Sequence, residues 1–301
     1  MPEMVSGEQL YQWRQWAIHT AQSNHVSPDE VDWFLQGFST LNSLSLRVGT
    51  YRNQSDISLR ASLNSLTHKW QQRTENRVPV QYLTGETPWR NFSLTVCSDV
   101  LIPRPETELI IDIAKKLAEQ SPLADQLKSG HWADLGTGSG AIALGLAQQL
   151  PAATVHATDI SAKALAVAQQ NAQQNALADR ITFYRGNWLS PLAHLTSQLS
   201  AIVSNPPYIP SQTVATLQPE VVCYEPHLAL DGGPDGLDSI RRLVASSIAY
   251  LQPGGIWLIE LMEGQAETVA NLLAQQSRYD HIAIHQDLAG IQRFVSAYKA
   301  L

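Results

Sequence analysis

Hydrophobic residues in the N-terminal part of the chain recur at the spacing of an α-helix. They form two groups: Val31, Phe34, Leu35, Phe38 and Leu41, and then Leu59, Leu63, Leu66 and Trp70. Intervals of three and four residues give each helix one apolar face, so we predict helices across residues 8–76. We expect these residues, with Trp13, Trp16 and Trp33, to form the core of a small helical bundle spanning residues 1–77. An aromatic ligand site is the alternative.

One of these helices has a recognisable start. The run Ser27-Pro28-Asp29-Glu30 lies directly before the first apolar group. A serine followed three residues later by glutamate is typical of a capping box, and proline is favoured at the first helical position. The sequence therefore predicts a helix whose first residue is Pro28.

Residues 78–104 have a different pattern. Phe92, Leu94 and Val96 alternate with polar residues, which is the period of a β-strand. The segment 85–90 begins with glycine and can supply a turn. We therefore expect a β-hairpin that links two domains.

From residue 105 onward, strand patterns and helix patterns alternate. We predict strands near residues 131–136, 154–159, 181–185, 199–204, 255–261, 281–286 and 292–298, with helices between them that begin with one at 106–120. This alternation is typical of an open, mostly parallel sheet with helices on both faces. Residues 105–301 are therefore expected to form an α/β domain that binds its ligands at the carboxyl ends of the strands.

Composition and charge narrow the function classes. The formal net charge is −7, whereas proteins that bind nucleic acid directly usually have a basic surface, so the charge argues against a DNA or RNA substrate. No apolar run approaches the length of a membrane span, and the N-terminus lacks the pattern of a signal peptide. The two cysteines, Cys97 and Cys223, have no metal-binding spacing. We expect a soluble cytoplasmic monomer with no metal, no membrane and no direct nucleic-acid partner.

A glycine-rich loop follows the first predicted strand of the α/β domain. It reads Asp134-Leu135-Gly136-Thr137-Gly138-Ser139-Gly140 and leads into a predicted helix at 141–150. Glycines let the backbone turn tightly and let a ligand approach closely. Asp159 ends the next predicted strand, where an acid can accept hydrogen bonds from both ribose hydroxyls. We predict that Gly136, Thr137, Gly138, Ser139, Gly140 and Asp159 bind a nucleoside-containing cofactor.

The glycine spacing and Asp134 favour S-adenosylmethionine (SAM) as that cofactor. A dinucleotide loop is spaced G-x-G-x-x-G, whereas the spacing here is G-x-G-x-G. A carboxylate at Asp134 would repel a pyrophosphate but suits SAM, which carries an ammonium and a sulfonium. A dinucleotide site and a purely structural turn are the alternatives.

Gly186-Asn187-Trp188 follows the third predicted strand of the domain. Many SAM enzymes have an acidic residue near this point that accepts a hydrogen bond from the adenine amino group. Asn187 can accept through its side-chain oxygen, and Trp188 can pack on the adenine face. A core tryptophan next to a turn asparagine is the alternative.

The motif Asn205-Pro206-Pro207-Tyr208 follows a buried predicted strand. An amide or exocyclic amino nitrogen is a poor nucleophile because its lone pair is delocalised. Two acceptors aimed at its two N–H bonds orient the nitrogen and favour the charge that develops as it attacks a methyl group. The Asn205 side-chain oxygen and the Pro206 carbonyl can be these acceptors, and Tyr208 can stack on a flat group. We predict that Asn205, Pro206 and Tyr208 are catalytic.

This motif does not select the substrate. Asn-Pro-Pro-Tyr serves adenine in DNA, exocyclic amines in RNA and glutamine in proteins. A nucleic-acid methyltransferase should have a basic face near Tyr208, but residues 209–235 contain no Lys or Arg. A non-catalytic scaffold with this fold is a further hypothesis, which the intact glycine-rich loop and Asn-Pro-Pro-Tyr motif disfavour.

These motifs resemble the HemK/PrmC family of peptide-chain-release-factor N(5)-glutamine methyltransferases, and the resemblance covers nearly the whole chain. The similar stretches are the two loops above and residues 81–85, 101–108 and 224–233. The string Pro103-Arg104-Pro105-Glu106-Thr107-Glu108 is the most specific, because DNA methyltransferases with Asn-Pro-Pro-Tyr do not usually have it.

The resemblance implies a helical domain at 1–77, a β-hairpin linker at 78–104 and a seven-stranded, Rossmann-like SAM-dependent methyltransferase domain at 105–301. Because the helical domain contains none of the residues assigned to SAM or to the amide, we expect it to recognise the substrate protein. It implies that the substrate is the glutamine of a Gly-Gly-Gln motif in class-1 release factors, and that S-adenosylhomocysteine is a product. SAM would contact the glycine-rich loop, Asp159, Trp188 and Asn205. The substrate would contact Asn205, Pro206, Pro207 and Tyr208.

The resemblance leaves two alternatives open, and the sequence departs from that family at two places. Arg104 and Glu106 would line the substrate pocket, or they would form a salt bridge that fixes the linker. A sister family that methylates a glutamine in a ribosomal protein more often has Pro-Arg-Ser than Pro-Arg-Pro, so the release-factor branch is favoured. Asn187 stands where many relatives have aspartate, and residues 287–293 lack an expected charged residue.

Overall fold

The computed structural model describes residues 2–301, which divide into two compact units. The first unit contains residues 2–86 together with Gln218–Tyr224, and the second contains Thr87–Leu217 and Glu225–Leu301. A search of residues 2–301 finds no helix with the length and apolar character needed to cross a membrane.

The helices and strands follow one another along the chain in this order. The helices are α1 (Gly7–Ser23), α2 (Asp29–Phe38), α3 (Ser43–Val48), α4 (Leu63–Asn76), α5 (Val80–Thr84), α6 (Leu109–Gln120), α7 (Ala124–Ser129), α8 (Ala141–Gln149), α9 (Ala162–Gln174), α10 (Ser211–Val214), α11 (Pro219–Val222), α12 (Asp238–Tyr250) and α13 (Ala266–Gln275). The strands are β1 (Glu3–Val5), β2 (Ile57–Leu59), β3 (Glu86–Trp89), β4 (Phe92–Thr95), β5 (His131–Leu135), β6 (Thr154–Asp159), β7 (Ile181–Arg185), β8 (Leu199–Ser204), β9 (Leu251–Glu260), β10 (Tyr279–Gln286) and β11 (Gln292–Lys299).

The first unit is a small helical bundle with an aromatic core. The ring of Phe34 packs against both Trp13 and Trp70, with centroids 6.0 and 5.2 Å apart. The indole N–H of Trp70 donates to the Ala17 carbonyl at 3.0 Å, which satisfies its only polar atom inside the core. Trp16 and Trp33 are partly buried against the same cluster. The aromatic residues therefore form the predicted core.

Two local predictions in this unit are wrong. Leu59 is not helical, because residues 57–59 pair antiparallel with residues 3–5 and α4 begins only after Ser62. The predicted capping box at Ser27 does not form either. Pro28 is the N-cap of α2 and has no side-chain cap, because the Glu30 carboxylate is bound by Arg73 instead.

A cluster of ion pairs around the buried Arg73 lies in the first unit. Arg73 binds Glu30 through Nε and Nη2, and its Nη1 donates to Glu220 at 2.9 Å. Arg77 also pairs with Glu220, at 2.7 Å. The hydroxyl of Tyr224 donates to the carbonyl of Asn76 at 2.7 Å. These contacts explain why Gln218–Tyr224 is grouped with the helices rather than with its neighbours in sequence.

The predicted hairpin exists, but its turn is displaced. β3 pairs with β4, and Phe92 and Leu94 are buried as the alternation predicts. Residues 86–89 form a strand, so the turn lies at Arg90 and not across 85–90. Gly85 instead ends α5 in the left-handed conformation.

The second unit contains the predicted sheet. Seven strands lie in the order β10-β11-β9-β8-β5-β6-β7, and β9, β8, β5, β6 and β7 are parallel. β11 runs antiparallel to both of its neighbours. All seven predicted strands are present, and the predicted Rossmann-like α/β fold is confirmed.

Helices cover both faces of this sheet. Successive side chains of a strand point to opposite faces, so Trp132 packs with α6 and α8 while Ala133 packs with α12 and α13. Both faces are apolar, which is why the strands read as continuous hydrophobic runs. The polar chemistry is therefore found where the strands end.

Candidate active site

The carboxyl ends of three neighbouring parallel strands bring the predicted residues together. β5 lies between β8 and β6, with Leu135 beside Ser204 on one side and Thr158 on the other. A cavity of about 290 Å³ lies beyond these ends. Its lining includes seven predicted site residues: Gly136, Gly138, Asp159, Asn187, Trp188, Asn205 and Pro207.

Asp134 shapes the glycine-rich loop. Its side chain is fully buried, and Oδ2 accepts hydrogen bonds from the Thr137 hydroxyl at 2.5 Å and the Ala143 N–H at 3.0 Å. Burial raises the pKa of Asp134 to about 7, although both hydrogen bonds oppose that shift. The other oxygen, Oδ1, has no hydrogen-bond partner among residues 2–301. Asp134 therefore fixes the loop and keeps one unused acceptor.

The backbone of the loop is anchored to the neighbouring strand. The N–H groups of Gly136 and Thr137 both donate to the Thr158 carbonyl, at 2.9 and 3.0 Å. The N–H of Gly138 donates to Asp159 Oδ2 at 2.9 Å. One carboxylate thus holds the loop and also faces the cavity.

The rest of the loop leads into α8. Gly140 is the N-cap of that helix and packs closely against Ala168. Ser139 is buried, and its carbonyl accepts a hydrogen bond from Asn171 Nδ2 at 2.8 Å. The loop is therefore fixed along its whole length.

Asp159 and Trp188 form a second wall of the cavity. Asp159 Oδ1 accepts from the Ser161 N–H at 2.8 Å, and burial raises the pKa of Asp159. Trp188 has φ of +52°. Its ring lies so close to Gly136 that a Cβ there would be only 3.3 Å from it. A side chain at Gly136 would crowd the tryptophan, and the φ of +75° at this position also favours glycine.

Asn205 is held by one end of its amide. Its Nδ2 donates to the Thr107 hydroxyl at 3.2 Å. Its Oδ1 accepts no hydrogen bond from any of residues 2–301, and the residue lines the cavity. Pro206 is buried directly after it. The geometry leaves an amide oxygen available at the cavity wall.

Tyr208 is held at both ends. Its hydroxyl donates to Glu260 Oε1 at 3.2 Å, and its carbonyl accepts from Gln265 Nε2 at 2.9 Å. Burial, followed by the charge of Glu260, raises the pKa of the Tyr208 hydroxyl well above its usual range. The phenol therefore stays neutral and its ring is fixed.

The segment after Tyr208 is paired with a distant part of the chain. Ile209 N–H donates to the Leu230 carbonyl at 3.0 Å, and Gly232 N–H donates to the Ile209 carbonyl at 2.9 Å. A Cβ at Gly236 would lie 2.2 Å from the Tyr208 carbonyl oxygen, so only glycine fits there. Residues 224–233 are thus partly a support for the Asn-Pro-Pro-Tyr loop.

Arg104 makes the kind of contact expected of a residue that fixes the linker. Its Nη2 lies 2.6 Å from Oε1 of Glu225, a buried carboxylate whose other oxygen accepts from the Ile102 N–H at 3.3 Å. Glu106 is not the partner. The negative charge of Glu106 instead raises the pKa values of Tyr208 and Glu260.

The divergent segment 287–293 is internally bonded. Asp287 accepts from the Ala289 and Ile291 N–H groups and pairs with Arg293 Nε at 2.8 Å. The Arg293 charge lowers the pKa of Tyr208, opposing the effect of burial. Arg293 thus brings a positive charge to the region of the Asn-Pro-Pro-Tyr loop.

Four contributing residues were not identified from the sequence: Thr107, Glu225, Glu260 and Gln265. Glu260 had a usable signal, because an acidic residue ends an otherwise apolar strand. Thr107 and Glu225 lie inside strings singled out above, but nothing local indicated what they contact. Their partners are far away in the sequence.

Comparisons with known proteins identify the family. The model of the methyltransferase small domain matches residues 110–275. The release factor glutamine methyltransferase of Synechocystis sp. is 51% identical over 293 residues, which cover 97% of both chains. That of Thermosynechococcus vestitus is 46% identical over 295 residues, covering 97% of this chain and 99% of the relative.

Solved structures agree on the fold. The hMettl16 catalytic domain, in complex with MAT2A 3'UTR hairpin 1, superposes with a TM-score of 0.57 at 14% identity, covering 89% of this chain and 87% of that one. At this identity the likeness concerns the fold alone. With the family match and the curated relatives, it follows that this chain belongs to the release factor glutamine methyltransferase family and is a SAM-dependent methyltransferase.

Proposed function

We propose that this protein transfers the methyl group of SAM to the side-chain amide nitrogen of the glutamine in the Gly-Gly-Gln motif of class-1 release factors. The observation that carries the proposal is the hydrogen bonding of the Asn205 side-chain amide. Its amide is anchored through Nδ2 while Oδ1 is left unbonded at the wall of the cavity that also contains the glycine-rich loop. An amide nitrogen is the kind of nucleophile that needs such an acceptor.

The chain's residues fit SAM at this cavity. Asp134 Oδ1 is a buried acceptor without a partner, and burial of an unpaired acceptor is costly, which favours a cationic ligand nearby. A Cβ at Gly138 would meet nothing within 4 Å, so open space lies against the loop there. Asp159 faces this space and is the proposed ribose acceptor.

The adenine would bind in the same cavity, beside the proposed ribose acceptor. Ile160 and Leu228 line it and are 49% and 63% exposed, so both offer apolar surface that a bound base can cover. Asn187 and Trp188 lie in the same lining. We propose that Asn187 accepts from the adenine amino group and that the apolar residues contact its faces.

Bound SAM supplies an activated methyl group on a positively charged sulfur. Asn205 Oδ1 and the Pro206 carbonyl accept hydrogen bonds from the two N–H groups of the substrate amide, which turns the nitrogen lone pair toward that methyl group. Tyr208, whose ring is fixed by Glu260 and Gln265, packs on the flat amide. As the C–N bond forms, the S–CH3 bond of SAM would break to leave S-adenosylhomocysteine, and the two acceptors would stabilise the positive charge that grows on the nitrogen.

A strong general base is not needed in this scheme. The methylated amide nitrogen is much more acidic than the neutral amide, so its proton can leave to water after transfer. The neutral Tyr208 hydroxyl takes no part in proton removal, since burial and Glu260 keep it protonated.

We propose that the helical unit binds the body of the release factor. None of the residues that line the cavity belongs to this unit, so it has no direct part in the chemistry. Its core is well packed, which suits a rigid surface for docking a protein. Contacts remote from the reacting group supply positioning that a short peptide cannot use.

A nucleic-acid substrate has less support. Residues 209–235, which follow Tyr208, contain no Lys or Arg, and the chain carries a net charge of −7. A phosphate backbone would find little counter-charge there. The names of the two relatives described above also favour the release factor over a ribosomal protein.

The test is a labelling experiment on the full chain. Purified class-1 release factor, the same factor with Gly-Gly-Ala in place of Gly-Gly-Gln, ribosomal proteins and DNA are each incubated with radiolabelled SAM. We expect label in the unaltered release factor only, and mass spectrometry should locate one methyl group on the glutamine side chain. Label in the Gly-Gly-Ala factor, or stronger label in ribosomal protein or DNA, would contradict the proposed substrate.

A peptide comparison tests the docking role. A short peptide containing Gly-Gly-Gln should be methylated with a kcat/KM at least about 100-fold below that of the whole release factor, the scale that positioning contacts supply. Equal kcat/KM for peptide and protein would mean that no surface outside the cavity recognises the substrate.

A further inference from the structure

The helical unit contains a pocket that the scheme above does not use. Its volume is about 470 Å³, and all of its lining comes from residues 8–53. We call it the arginine pocket, because its lining contains three guanidinium groups. The charged and aromatic residues of the lining are Glu8, Tyr11, Arg14, Arg47, Tyr51 and Arg52.

The charge of the arginine pocket is opposite in sign to that of the whole chain. Its three arginines stand against two carboxylates, Glu8 in the lining and Asp32, which binds Arg14, so the net charge of the cluster is +1. The net charge of the chain is −7. Guanidinium groups around one cavity repel one another, and an anion between them would relieve this repulsion. The arrangement therefore favours a negatively charged ligand.

Two of the arginines are held in place without using all of their donors. Arg14 donates from Nε and Nη2 to Asp32, at 2.6 and 2.9 Å. The guanidinium carbon of Arg52 lies 3.7 Å from the centroid of the Tyr11 ring, and its Nη2 donates to Glu8 at 3.2 Å. Nη1 of either arginine makes no hydrogen bond with any of residues 2–301. A guanidinium group that is already fixed loses little side-chain entropy when it binds a carboxylate.

Two other groups of the lining lack partners among residues 2–301. Arg47, in the last turn of α3, is exposed and forms no ion pair or hydrogen bond. Tyr51 is buried, and its hydroxyl has no hydrogen-bond partner. A buried phenol usually has one. An anion in the pocket would bring the acceptor atoms that both groups lack.

Apolar side chains beside the pocket favour a protein as the source of the anion. Val48 lines the pocket and is exposed, and Leu44, one helical turn earlier on α3, is exposed as well. Residues four apart lie on the same face of a helix. Protein–protein interfaces combine arginine with apolar surface of this kind. A nucleic-acid backbone would offer mainly phosphates and little apolar surface to place against Leu44 and Val48.

We propose that the arginine pocket binds an acidic side chain of the release factor and so fixes the position of its body. This inference rests on the proposed function, in which the helical unit binds the substrate protein. The carboxylate would accept hydrogen bonds from the Nη1 groups of Arg14 and Arg52 and would pair with Arg47. An apolar residue of the release factor would cover Leu44 and Val48. Because this contact is remote from the reacting glutamine, we expect it to act on the KM for release factor.

Charge reversal at two of the arginines tests the proposal in the full chain. Arg47→Glu and Arg52→Glu each place a negative charge at the pocket. Each should raise the KM for release factor by on the order of 10-fold, because a like charge opposes the incoming carboxylate. The kcat on release factor, and the SAM dissociation constant measured by calorimetry, should stay within about twofold of wild type. A short Gly-Gly-Gln peptide lacks the body of the release factor, so its kcat/KM should be unchanged.

Arg60→Glu is the matched control in the same unit. Arg52 and Arg60 each pair with a glutamate, at 3.2 and 3.3 Å, and their side chains are 45% and 66% exposed. Arg60 does not line the pocket. Both substitutions change the net charge equally and break a similar exposed pair, which contributes little to stability. The KM of Arg60→Glu for release factor should remain within about twofold of wild type.

A charge swap tests for the partner side chain. Acidic surface residues of the release factor are changed to lysine one at a time and assayed with Arg52→Glu. One such change should lower the KM of Arg52→Glu by on the order of 10-fold and raise that of wild type, because the swapped pair again has opposite charges. Raising NaCl from about 0.05 to about 0.5 M should narrow the difference between wild type and Arg52→Glu, since salt screens exposed charges.

Four results would overturn the proposal. KM values for Arg47→Glu and Arg52→Glu within about twofold of wild type would mean that the pocket does not contact the release factor. An equal rise in KM for Arg60→Glu would assign the effect to net charge. A complete set of charge swaps without rescue would exclude a carboxylate partner. Binding of labelled single-stranded RNA to wild type that Arg52→Glu abolishes would assign the pocket to a phosphate backbone.

The Arg47→Glu variant separates a binding effect from a folding effect. Because Arg47 forms no ion pair or hydrogen bond within residues 2–301, its substitution breaks no such internal contact. A rise in its KM for release factor with unchanged kcat/KM on the peptide therefore supports the proposal. Wild-type protein that fails to methylate release factor would instead contradict the proposed function itself.

Discussion

The glycine-rich loop and the Asn-Pro-Pro-Tyr loop lie at the ends of neighbouring strands, but they are held in different ways. The first is fixed by residues within 32 positions of it: Asp134 binds Thr137 and Ala143, and the loop backbone is bonded to Thr158, Asp159 and Asn171. The second is fixed from a distance. Asn205 is bonded to a residue 98 positions away, and Tyr208 to residues 52 and 57 positions away.

Because of this difference, we expect single substitutions to impair either SAM binding or turnover, but not both. A loop held by its own residues and by the next strand and helix in the chain depends little on the rest of the fold. A loop held by three remote elements loses its geometry when any of them moves. We therefore expect variants that lose turnover but bind SAM normally to occur far from the Asn-Pro-Pro-Tyr loop in the sequence. Variants that bind SAM weakly but keep turnover at saturating SAM should cluster near Asp134–Asp159.

The largest effect is expected from Asn205→Ala. Losing a preorganised acceptor for the charge that develops costs about 3–4 kcal/mol of transition-state stabilisation, so transfer should fall by several hundredfold. The change lies at a strand end, and the fold should survive. SAM affinity should stay within about tenfold, as calorimetry can verify. Retention of more than about a tenth of wild-type activity would show that the catalytic assignment is wrong.

A smaller effect, of the opposite kind, is expected from Asp159→Ala. SAM binding should weaken by about 1.5–3 kcal/mol, the range for hydrogen bonds to a charged group. Gly138 also loses its acceptor, so the loop itself is loosened. Turnover at saturating SAM should change less than affinity. Calorimetry that finds unchanged SAM affinity would remove Asp159 from the cofactor site.

Gly236→Ala tests the remote support directly. The new Cβ would lie 2.2 Å from the Tyr208 carbonyl oxygen at a positive φ of +79°. Strain and the clash together should lower the unfolding free energy by about 2–4 kcal/mol, measured by urea denaturation. Turnover should fall while SAM affinity is kept.

Gly264→Ala is the matched control for that substitution. Its φ is +86°, but a Cβ there would meet nothing within 4 Å. It should cost only the left-handed strain, about 1–2 kcal/mol, and leave turnover unchanged. Equal losses of stability and turnover in the two variants would contradict the supporting role of Gly236.

The smallest effect is expected from Arg104→Ala. It leaves the buried Glu225 carboxylate without its partner and should cost about 2 kcal/mol of stability at pH 8. Burial already raises the pKa of Glu225, and loss of the arginine raises it further, so protonation favours the folded state. The deficit should therefore shrink as pH falls through that raised pKa.

An exposed ion pair provides the comparison for Arg104. Arg241 and Asp235 are both about half exposed, and solvent screens such pairs. Arg241→Ala should leave stability unchanged at both pH values. A deficit in Arg104→Ala that stays constant or grows toward low pH would mean that Glu225 is not the group left unpaired.

Much of the fold was predictable because its signals are local. The seven strands of the large sheet could be read from apolar runs bounded by turn residues, and the bundle core from helical spacing. The errors occurred where a distant partner overrode a local preference. Glu30 stands at the capping-box position after Ser27 but binds Arg73. Leu59 has helical spacing but lies in a strand that pairs with β1.

The sequence by itself determined the α/β domain, the glycine-rich loop with Asp134 and Asp159, and the Asn-Pro-Pro-Tyr motif as the place of chemistry. Each depends on the residue types within a short window, where covalent connection already holds the partners together. Only the tertiary structure decided that Asn205 is bonded to Thr107, that Tyr208 is bonded to Glu260, and that Arg104 pairs with Glu225 rather than Glu106. Those contacts join side chains about 50 to 150 residues apart, and only the packing of the sheet and its helices brings them within hydrogen-bonding distance.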